Sequence, residues 1–341
     1  MNDPDIAEQL VEALVLPDDN PVEGLVRRPV HTIGTGVAGY FQASPVARDY
    51  CTAEHFQGKQ LDVTVRFSNG SGSAIERDGW SDVRGMATRF HLSDGGATDL
   101  VAMTLPEFFA PTPETFLEFA KEAKPAPCER LSPWRKIVDF LKLTIPMPDP
   151  YPGQDVRPNE GAIRFADQNK FAQLAVLQAA TIGAPVSYER ASYHAVHTFI
   201  VTAPDGTQRW VRFTWQPIAG VQNTTPKDPI VDTYLKEKLE ECLDKGGARF
   251  SLMMMIGELG DDFNDSTRAW PPHRKRVMMG TLTLDKKIEG ADGDLEKISF
   301  NPCNLTDGIR ASDDPVLKIR REAYEYSSKR RDATPCPFSG S

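Results

Sequence analysis

The chain has 341 residues, of which 40% are hydrophobic and 26% charged, and its formal net charge is −9. This composition is ordinary for a globular protein, and the negative charge argues against nucleic-acid binding, which requires a basic face. No apolar run approaches the roughly 18 residues of a membrane-spanning helix, and no basic segment precedes an apolar core at the N-terminus. We therefore expect a cytoplasmic protein with neither a nucleic-acid nor a membrane partner.

The five cysteines are dispersed and form no C-x-x-C pair. An odd, scattered set indicates reduced thiols in a cytosolic protein rather than a disulfide framework or a zinc site. They are Cys51, Cys128, Cys242, Cys303 and Cys336.

The N-terminal part of the chain predicts a helix and then a glycine-rich strand. Residues 3–15 have the spacing of an amphipathic helix, which is expected to pack on its own barrel or on a second subunit. Within residues 24–41, Val30, Thr32 and Ile33 fit a strand, and the glycines that follow mark a close approach of backbone. His31 lies in this apolar stretch, where it is either a hydrogen-bonded core residue or a catalytic one.

The remaining segments alternate between strand and helix patterns. Period-2 alternation predicts antiparallel strands, and a PDG turn predicts a hairpin between two of them. A proline-rich segment, 125–160, is expected to be a crossover connection around a short helix at 133–143. The predicted strands are 60–68, 84–92, 98–105, 192–203, 208–216, 251–259 and 276–284, and the predicted helices are 113–124 and 228–245.

The C-terminal segment 300–331 carries a polar pair on a predicted helix. Asp313 or Asp314 caps this helix, and Pro315 fits its first turn. Arg320 and Tyr324 then lie on one face, one turn apart, so the guanidinium favours the phenolate form of the tyrosine. Tyrosinate can ligate haem iron. The alternative is a packed tyrosine with an arginine stacked over it.

Several motifs, in a fixed order, resemble those of the haem catalases, and more closely those of the short catalase-related haem peroxidases. The resemblance runs from about Arg28 to Arg331. The motifs are RPVHTIGTGVAGYF at 28–41, VRFSNGSGS at 65–73, DVRGMATRF at 82–90, TDLVAMTLPEFF at 98–109, PETF at 113–116, HTF at 197–199, STRAWP at 266–271, FNPCN at 300–304 and REAY at 321–324.

The resemblance implies an α+β fold, in which helices surround a closed, antiparallel, eight-stranded β-barrel. It implies an N-terminal helical arm at 1–26, a haem-binding barrel domain with the C-terminal helix at 27–334, and a tail at 335–341. The expected cofactor is haem b, and the expected assembly is a homodimer.

The resemblance also implies roles for residues on both faces of the haem. Tyr324 would ligate iron, held as tyrosinate by Arg320, with His197 and Asp314 behind it. His31 would be the acid/base residue on the opposite face, with Ser68 fixing its ring. The residues that would contact the haem itself are Arg28, Arg66 and Arg331 at the propionates, and Val30, Val65 and Phe116 against the ring.

One position departs from the catalase pattern. Catalases have an asparagine in the pocket on the histidine side, and the aligned residue here is Thr104. A hydroxyl donates one hydrogen bond where an amide donates two. Peroxide would be oriented less firmly, so weak catalase activity is expected.

The implied function is a haem peroxidase that reduces hydrogen peroxide or organic hydroperoxides with small organic donors, through a ferryl intermediate. One alternative is rearrangement of fatty-acid hydroperoxides, as in allene oxide synthases, although Val30 stands where those relatives tend to carry threonine. A second alternative is a haem-binding barrel without turnover, although storage needs no acid/base residue over the iron.

Overall fold

The structure is a computed structural model of the chain. It describes residues 3–15, 28–72, 77–80, 82–122, 141, 161–225, 228, 233–288, 295 and 297–331. The predicted proline-rich crossover and nearly all of the short helix at 133–143 lie outside these residues. So do most of the segment between the predicted arm and barrel, and the predicted tail.

Eight antiparallel strands form a closed barrel, which confirms the predicted fold. The strands pair in the order β4-β3-β2-β1-β8-β7-β6-β5, and a bridge between Met103 and His194 joins β4 to β5. A short ninth strand, β9 (Ile309–Ala311), pairs with the outer edge of β5. The barrel strands are β1 (Gly34–Ala43), β2 (Leu61–Asn69), β3 (Arg84–His91), β4 (Ala97–Met103), β5 (Tyr193–Thr202), β6 (Gln208–Pro217), β7 (Ala248–Ile256) and β8 (Arg276–Lys287).

The interior of the barrel is filled with large apolar side chains. Phe41 of β1, Phe90 of β3 and Trp215 of β6 are at most 2% exposed and contact one another through their rings. The alternation of such residues along each strand directs one side of the sheet inward. The barrel is therefore a packed core, and the functional cavity lies outside it.

Six helices surround the barrel in the described part of the chain. Helices α1, α2 and α6 pack on one another and share a second apolar cluster that includes Leu10, Phe116 and Ile319. This arrangement places the N-terminal helix on its own chain, as one of the two predicted alternatives had it. The helices are α1 (Asp3–Leu14), α2 (Pro113–Glu122), α3 (Gly161–Gln168), α4 (Gln173–Thr181), α5 (Leu235–Asp244) and α6 (Pro315–Arg330). None of the described helices is long and apolar enough to cross a membrane.

Three sequence predictions of secondary structure were wrong or incomplete. The strand expected at Val30–Ile33 starts only at Gly34, because His31 has a positive φ of 56° that a strand cannot contain. The helix expected at 228–245 begins at Leu235, since Asp228 instead closes a turn onto Thr225. Helices α3 and α4, and strand β9, were not predicted.

Candidate functional site: a cavity between two polar walls

A cavity of about 490 Å³ lies between the rim of strands β2–β4 and helices α1, α2 and α6. Most of its lining is apolar, and its polar groups lie on two walls, one on α6 and one around residues 28–31. Nine of the residues singled out in the sequence line it. They are Arg28, Val30, His31, Arg66, Ser68, Phe116, Arg320, Tyr324 and Arg331.

Four side chains form a hydrogen-bonded relay on the α6 wall. Arg320 Nη2 donates to Tyr324 Oη at 3.0 Å, and Arg320 Nη1 lies 2.8 Å from His197 Nε2. The other ring nitrogen, His197 Nδ1, lies 2.7 Å from Asp314 Oδ2. The guanidinium of Arg320 is therefore fixed by His197 through one terminal nitrogen and donates to the phenol oxygen through the other.

The relay fixes the protonation state of His197. Arginine only donates, so His197 Nε2 must accept, and the proton lies on Nδ1, facing Asp314. Burial lowers the pKa of His197 although Asp314 opposes this shift. Burial alone would raise the pKa of Asp314, but the hydrogen bond from His197 and two backbone donors hold it below its ordinary value. A neutral histidine thus links the carboxylate of Asp314 to the guanidinium of Arg320 through two hydrogen bonds.

The same aspartate begins helix α6. Asp314 Oδ1 accepts from the backbone nitrogens of Val316 and Leu317, at 2.8 and 3.3 Å, and Pro315 occupies the first turn. Of the two cap candidates in the sequence, Asp314 is therefore the one used. Asp313 is exposed and pairs with Lys318. One buried carboxylate both caps the helix and anchors the relay.

On the opposite wall, a strained backbone carries His31. Its φ of 56° is uncommon for a residue with a side chain. Arg66 donates from Nη1 to the carbonyl of His31, at 2.9 Å, and from Nη2 to that of Thr32, at 3.1 Å. The nitrogen of His31 also donates to the Gly70 carbonyl at 3.1 Å. Two hydrogen bonds to the His31 backbone and one to the Thr32 carbonyl thus hold the loop in this conformation.

The ring of His31 contacts Ser68 and is neutral. Its Nδ1 lies 3.0 Å from Ser68 Oγ. Burial lowers the pKa of His31 to about 3, and the positive charges of Arg66, Arg320 and Arg28 add to the effect. A neutral imidazole with one nitrogen engaged keeps the other as a proton acceptor, provided Nδ1 carries the proton.

The predicted haem-contacting arginines have different surroundings. Arg28 donates from Nη2 to the carbonyls of Leu295 and Ile298, and Arg331 donates to Ser327 Oγ at 2.6 Å. Arg66 directs both terminal nitrogens at backbone carbonyls, as described above. All three still line the cavity. Together with Arg320 they place four guanidinium groups on the cavity lining.

Four predicted site residues do not line the cavity: His197 and Asp314, which lie behind Arg320, and Val65 and Thr104. Val65 is fully buried in the barrel core. The hydroxyl of Thr104 accepts from the Arg84 backbone nitrogen at 3.0 Å, and its neighbours Met103 and Leu105 line the cavity in its place. Its role as a donor to peroxide therefore stays a prediction without geometric support.

Other lining residues were missed by the sequence reasoning. Phe108 lies under the Arg320 guanidinium, 5.6 Å from its ring centroid, and contacts the His197 ring. Gly85 lies on β3 beside the His31 ring. Both residues lie inside motifs shared with the catalases, Phe108 in TDLVAMTLPEFF and Gly85 in DVRGMATRF, and this position could have identified them. Leu10 and Leu14 of α1 also line the cavity, and in the sequence they were only one face of an amphipathic helix.

The residues present fit a haem group. The cavity is mostly apolar, as a porphyrin face requires, and cationic side chains for two carboxylates lie on its lining. Its α6 wall offers a phenol oxygen with an arginine donor, which suits an axial iron ligand. Its other wall offers a neutral imidazole for proton transfer. Tyr324 would hold the iron, and Arg28 and Arg331 the propionates.

The sequence of the chain matches the family described as Catalase over residues 19–146 and 152–335. A catalase-related peroxidase of Mycolicibacterium paratuberculosis is 32% identical over 313 residues, covering 89% of this chain and 88% of the relative. A catalase-related peroxidase of Synechococcus elongatus is 28% identical, covering 89% of this chain and 83% of the relative. Catalase-2 of Bacillus subtilis is also 28% identical, but the match covers only 43% of its length.

Two solved structures share the fold. A fungal catalase superposes with a TM-score of 0.73 at 24% identity, covering 91% of this chain and 60% of the catalase. Catalase A from Saccharomyces cerevisiae superposes with the same TM-score at 23% identity, covering 91% of this chain and 62% of the catalase. The sequence match over most of its length, together with the barrel that it forms, shows that the chain belongs to the catalase family.

Proposed function

We propose that the protein is a haem-dependent peroxidase that reduces hydrogen peroxide or organic hydroperoxides with small organic electron donors. The observation that carries this proposal is one cavity with a neutral imidazole on one wall and an arginine-held phenol on the other. Membership of the catalase family, with catalase-related peroxidases among the relatives, confirms the coarser prediction of an oxidoreductase acting on peroxide.

His31 moves the proton in the proposed reaction. Its Nε2 accepts the proton of the peroxide oxygen that stays in the site and returns it to the other oxygen as the O–O bond breaks, so water or an alcohol leaves. One base that becomes the acid is general acid–base catalysis. Ser68 keeps Nδ1 engaged, and Arg66 keeps the ring directed at the cavity.

Haem, when bound, supplies the redox-active iron and the two electrons that O–O cleavage consumes. On the α6 wall, Arg320 stabilises negative charge on Tyr324 Oη, and Asp314 acts on Arg320 through His197. A small organic donor then returns the two electrons one at a time. The cavity lining around Phe116 is mostly apolar.

Weak catalase activity is part of the proposal. A second peroxide must act as reductant in that reaction and must be oriented by the site. Thr104 is buried and does not line the cavity, and its oxygen accepts from the Arg84 backbone nitrogen, so we expect organic donors to be oxidised faster than peroxide. We further propose haem b as the cofactor, a cytoplasmic location and a homodimer, the last to be measured by light scattering of the purified protein.

The proposal is tested with two substitutions, each paired with a control of the same residue type. His31→Ala should keep haem and lose peroxide cleavage by at least about 100-fold, the usual size of general acid–base effects. Tyr324→Phe should lose haem, measured by Soret absorbance. The controls are His273→Ala, outside the cavity lining, and Tyr326→Phe, two residues along the same helix. Intact peroxidase turnover in both test variants would contradict the proposal.

A further inference from the structure

Gly85 lies where two strand ladders meet the ring of His31. On β3 it pairs with Ser68 of β2 on one side and with Met103 of β4 on the other. It also lines the cavity. Because hydrogen-bonded ladders hold its strand from both sides, the backbone of Gly85 cannot shift without disturbing three strands.

There is no room for a side chain at this position. A Cβ atom added to Gly85 would lie 2.7 Å from Ser68 Oγ, 2.8 Å from His31 Nδ1 and 2.9 Å from His31 Cε1. Favourable contacts between heavy atoms lie near 3.5–4.0 Å. The two atoms that such a Cβ would crowd most, Ser68 Oγ and His31 Nδ1, are those that bond each other at 3.0 Å.

To relieve this crowding, the His31 ring would move. The backbone of His31 is held by Arg66 Nη1 at its carbonyl and by the Gly70 carbonyl at its nitrogen. The ring lines the cavity and is joined to this backbone through rotatable side-chain bonds. A methyl group on residue 85 would therefore turn the ring away from Ser68 and break the contact that fixes its tautomer.

We infer that Gly85 is a positioning residue. Because glycine has no side chain, it leaves the space in which the His31 ring lies against Ser68. It touches no substrate and acts through His31, so the inference rests on the proposed role of His31 as the proton carrier. Glycine is needed here for close approach rather than for an unusual φ, since Gly85 has none.

The test compares Gly85→Ala with Gly36→Ala in the haem-loaded protein. Gly36 is also a strand glycine, on β1, but the atoms nearest to a Cβ there are the flexible methyl ends of Leu295, at 2.8 and 3.1 Å, and of Ile288, at 3.4 Å. Both variants should retain haem. Gly85→Ala should react with hydrogen peroxide at least about tenfold more slowly, whereas Gly36→Ala should stay within about twofold of the parent protein.

A crystal structure of Gly85→Ala supplies a second readout that does not depend on turnover. We expect the distance from His31 Nδ1 to Ser68 Oγ to exceed hydrogen-bonding range, against 3.0 Å in the parent. A parent-like rate with the distance still near 3.0 Å would overturn the inference. That result, combined with an inactive His31→Ala, would leave the proposed function standing, whereas intact peroxidase turnover in both His31→Ala and Tyr324→Phe would overturn the proposed function itself.

A double-substitution cycle covers the case in which Gly85→Ala does not fold. In the His31→Ala background the crowded ring is gone, and the Ser68 hydroxyl can adopt another rotamer. The double variant should then fold with the stability of His31→Ala alone, and Gly85→Ala should cause no further loss of rate. A double variant that also fails to fold would show that Gly85 supports the barrel rather than the ring, contradicting the inference.

Discussion

The two walls of the cavity hold their polar groups by different means. On α6, Tyr324 is held by side chains alone, through Arg320 and His197 to the buried carboxylate of Asp314, 1% exposed. On the opposite wall, the His31 backbone is held by Arg66, and the ring has one side-chain partner, Ser68. One wall is a relay of ionisable groups, of which His197 and Asp314 are buried and Arg320 and Tyr324 half-buried, and the other is a strained loop.

Because of this difference, we expect one wall to affect mainly stability and the other mainly reactivity. A relay of buried polar groups leaves an unsatisfied partner when any member is removed, which is costly. A strained loop can relax when its restraint is removed, so the fold loses little while the geometry changes. We therefore expect changes on the α6 wall to lower stability and haem retention, and changes on the His31 wall to lower the rate of peroxide cleavage.

The largest effect is expected for Asp314→Ala, which removes both functions of that carboxylate. Loss of the helix cap costs about 0.5–2 kcal/mol, and a buried His197 donor without an acceptor costs about 1–3 kcal/mol more. We expect the free energy of unfolding, measured in urea, to fall by about 1.5–5 kcal/mol, with lower haem retention.

The neighbouring aspartate is the control. Asp313 has the same charge and lies one residue away, but its side chain is 81% exposed and contacts only Lys318 among the described residues. Exposed ion pairs contribute about 0–1 kcal/mol, so Asp313→Ala should be nearly neutral. Equal losses of stability for the two variants would show that charge near the helix start matters and the relay does not.

The sequence predicted the α6 wall better than the other wall. A capping aspartate followed by proline, and an arginine one turn before a tyrosine, are local patterns on one helix. Arg320 and Tyr324 could therefore be placed by helix geometry alone, and the cap could be narrowed to Asp313 or Asp314. Only His197 comes from a distant strand, and it was identified through the resemblance to catalases.

The His31 wall could not be derived in this way, because its geometry depends on contacts between distant segments. Nothing local to residues 28–33 reveals that Arg66 bonds two of their carbonyls, so a strand was predicted there. Similarly, aligning Thr104 with the catalase asparagine gave its position but not the direction of its side chain. Helices α3 and α4 were missed although Gln173–Thr181 is apolar and rich in alanine.

A smaller effect is expected for Arg66→Lys, which keeps the charge and removes the fork. Lysine cannot donate to the carbonyls of His31 and Thr32 in the same planar geometry. We expect the rate of peroxide cleavage to fall by about tenfold, and the free energy of unfolding by about 1 kcal/mol, the usual contribution of one hydrogen bond. The exposed strand residue Arg249 provides the control, as Arg249→Lys. An unchanged rate in Arg66→Lys would mean that the loop holds His31 unaided.

The smallest effect is expected from pH. Because the pKa of His31 is lowered to about 3, by burial and then by Arg66, Arg320 and Arg28, the ring stays neutral across the working range. kcat/KM for peroxide should therefore change by less than about twofold between pH 8 and pH 5. A histidine with the ordinary value of 6.5 would lose more than tenfold over the same interval.

The direction of this pKa shift suggests a variant that tests the difference between the two walls. Removing a positive charge makes protonation easier, so Arg66→Gln should raise the pKa of His31 and move the acid limb of the profile toward neutral pH. In the parent protein the unfolded chain binds a proton at this histidine between pH 6.5 and 3 while the folded chain does not, so the free energy of unfolding falls as pH falls through that window. If kcat/KM of the parent protein instead fell with an apparent pKa near 6.5, the His31 ring would be in contact with water. The His31 wall would then be less buried than the α6 wall.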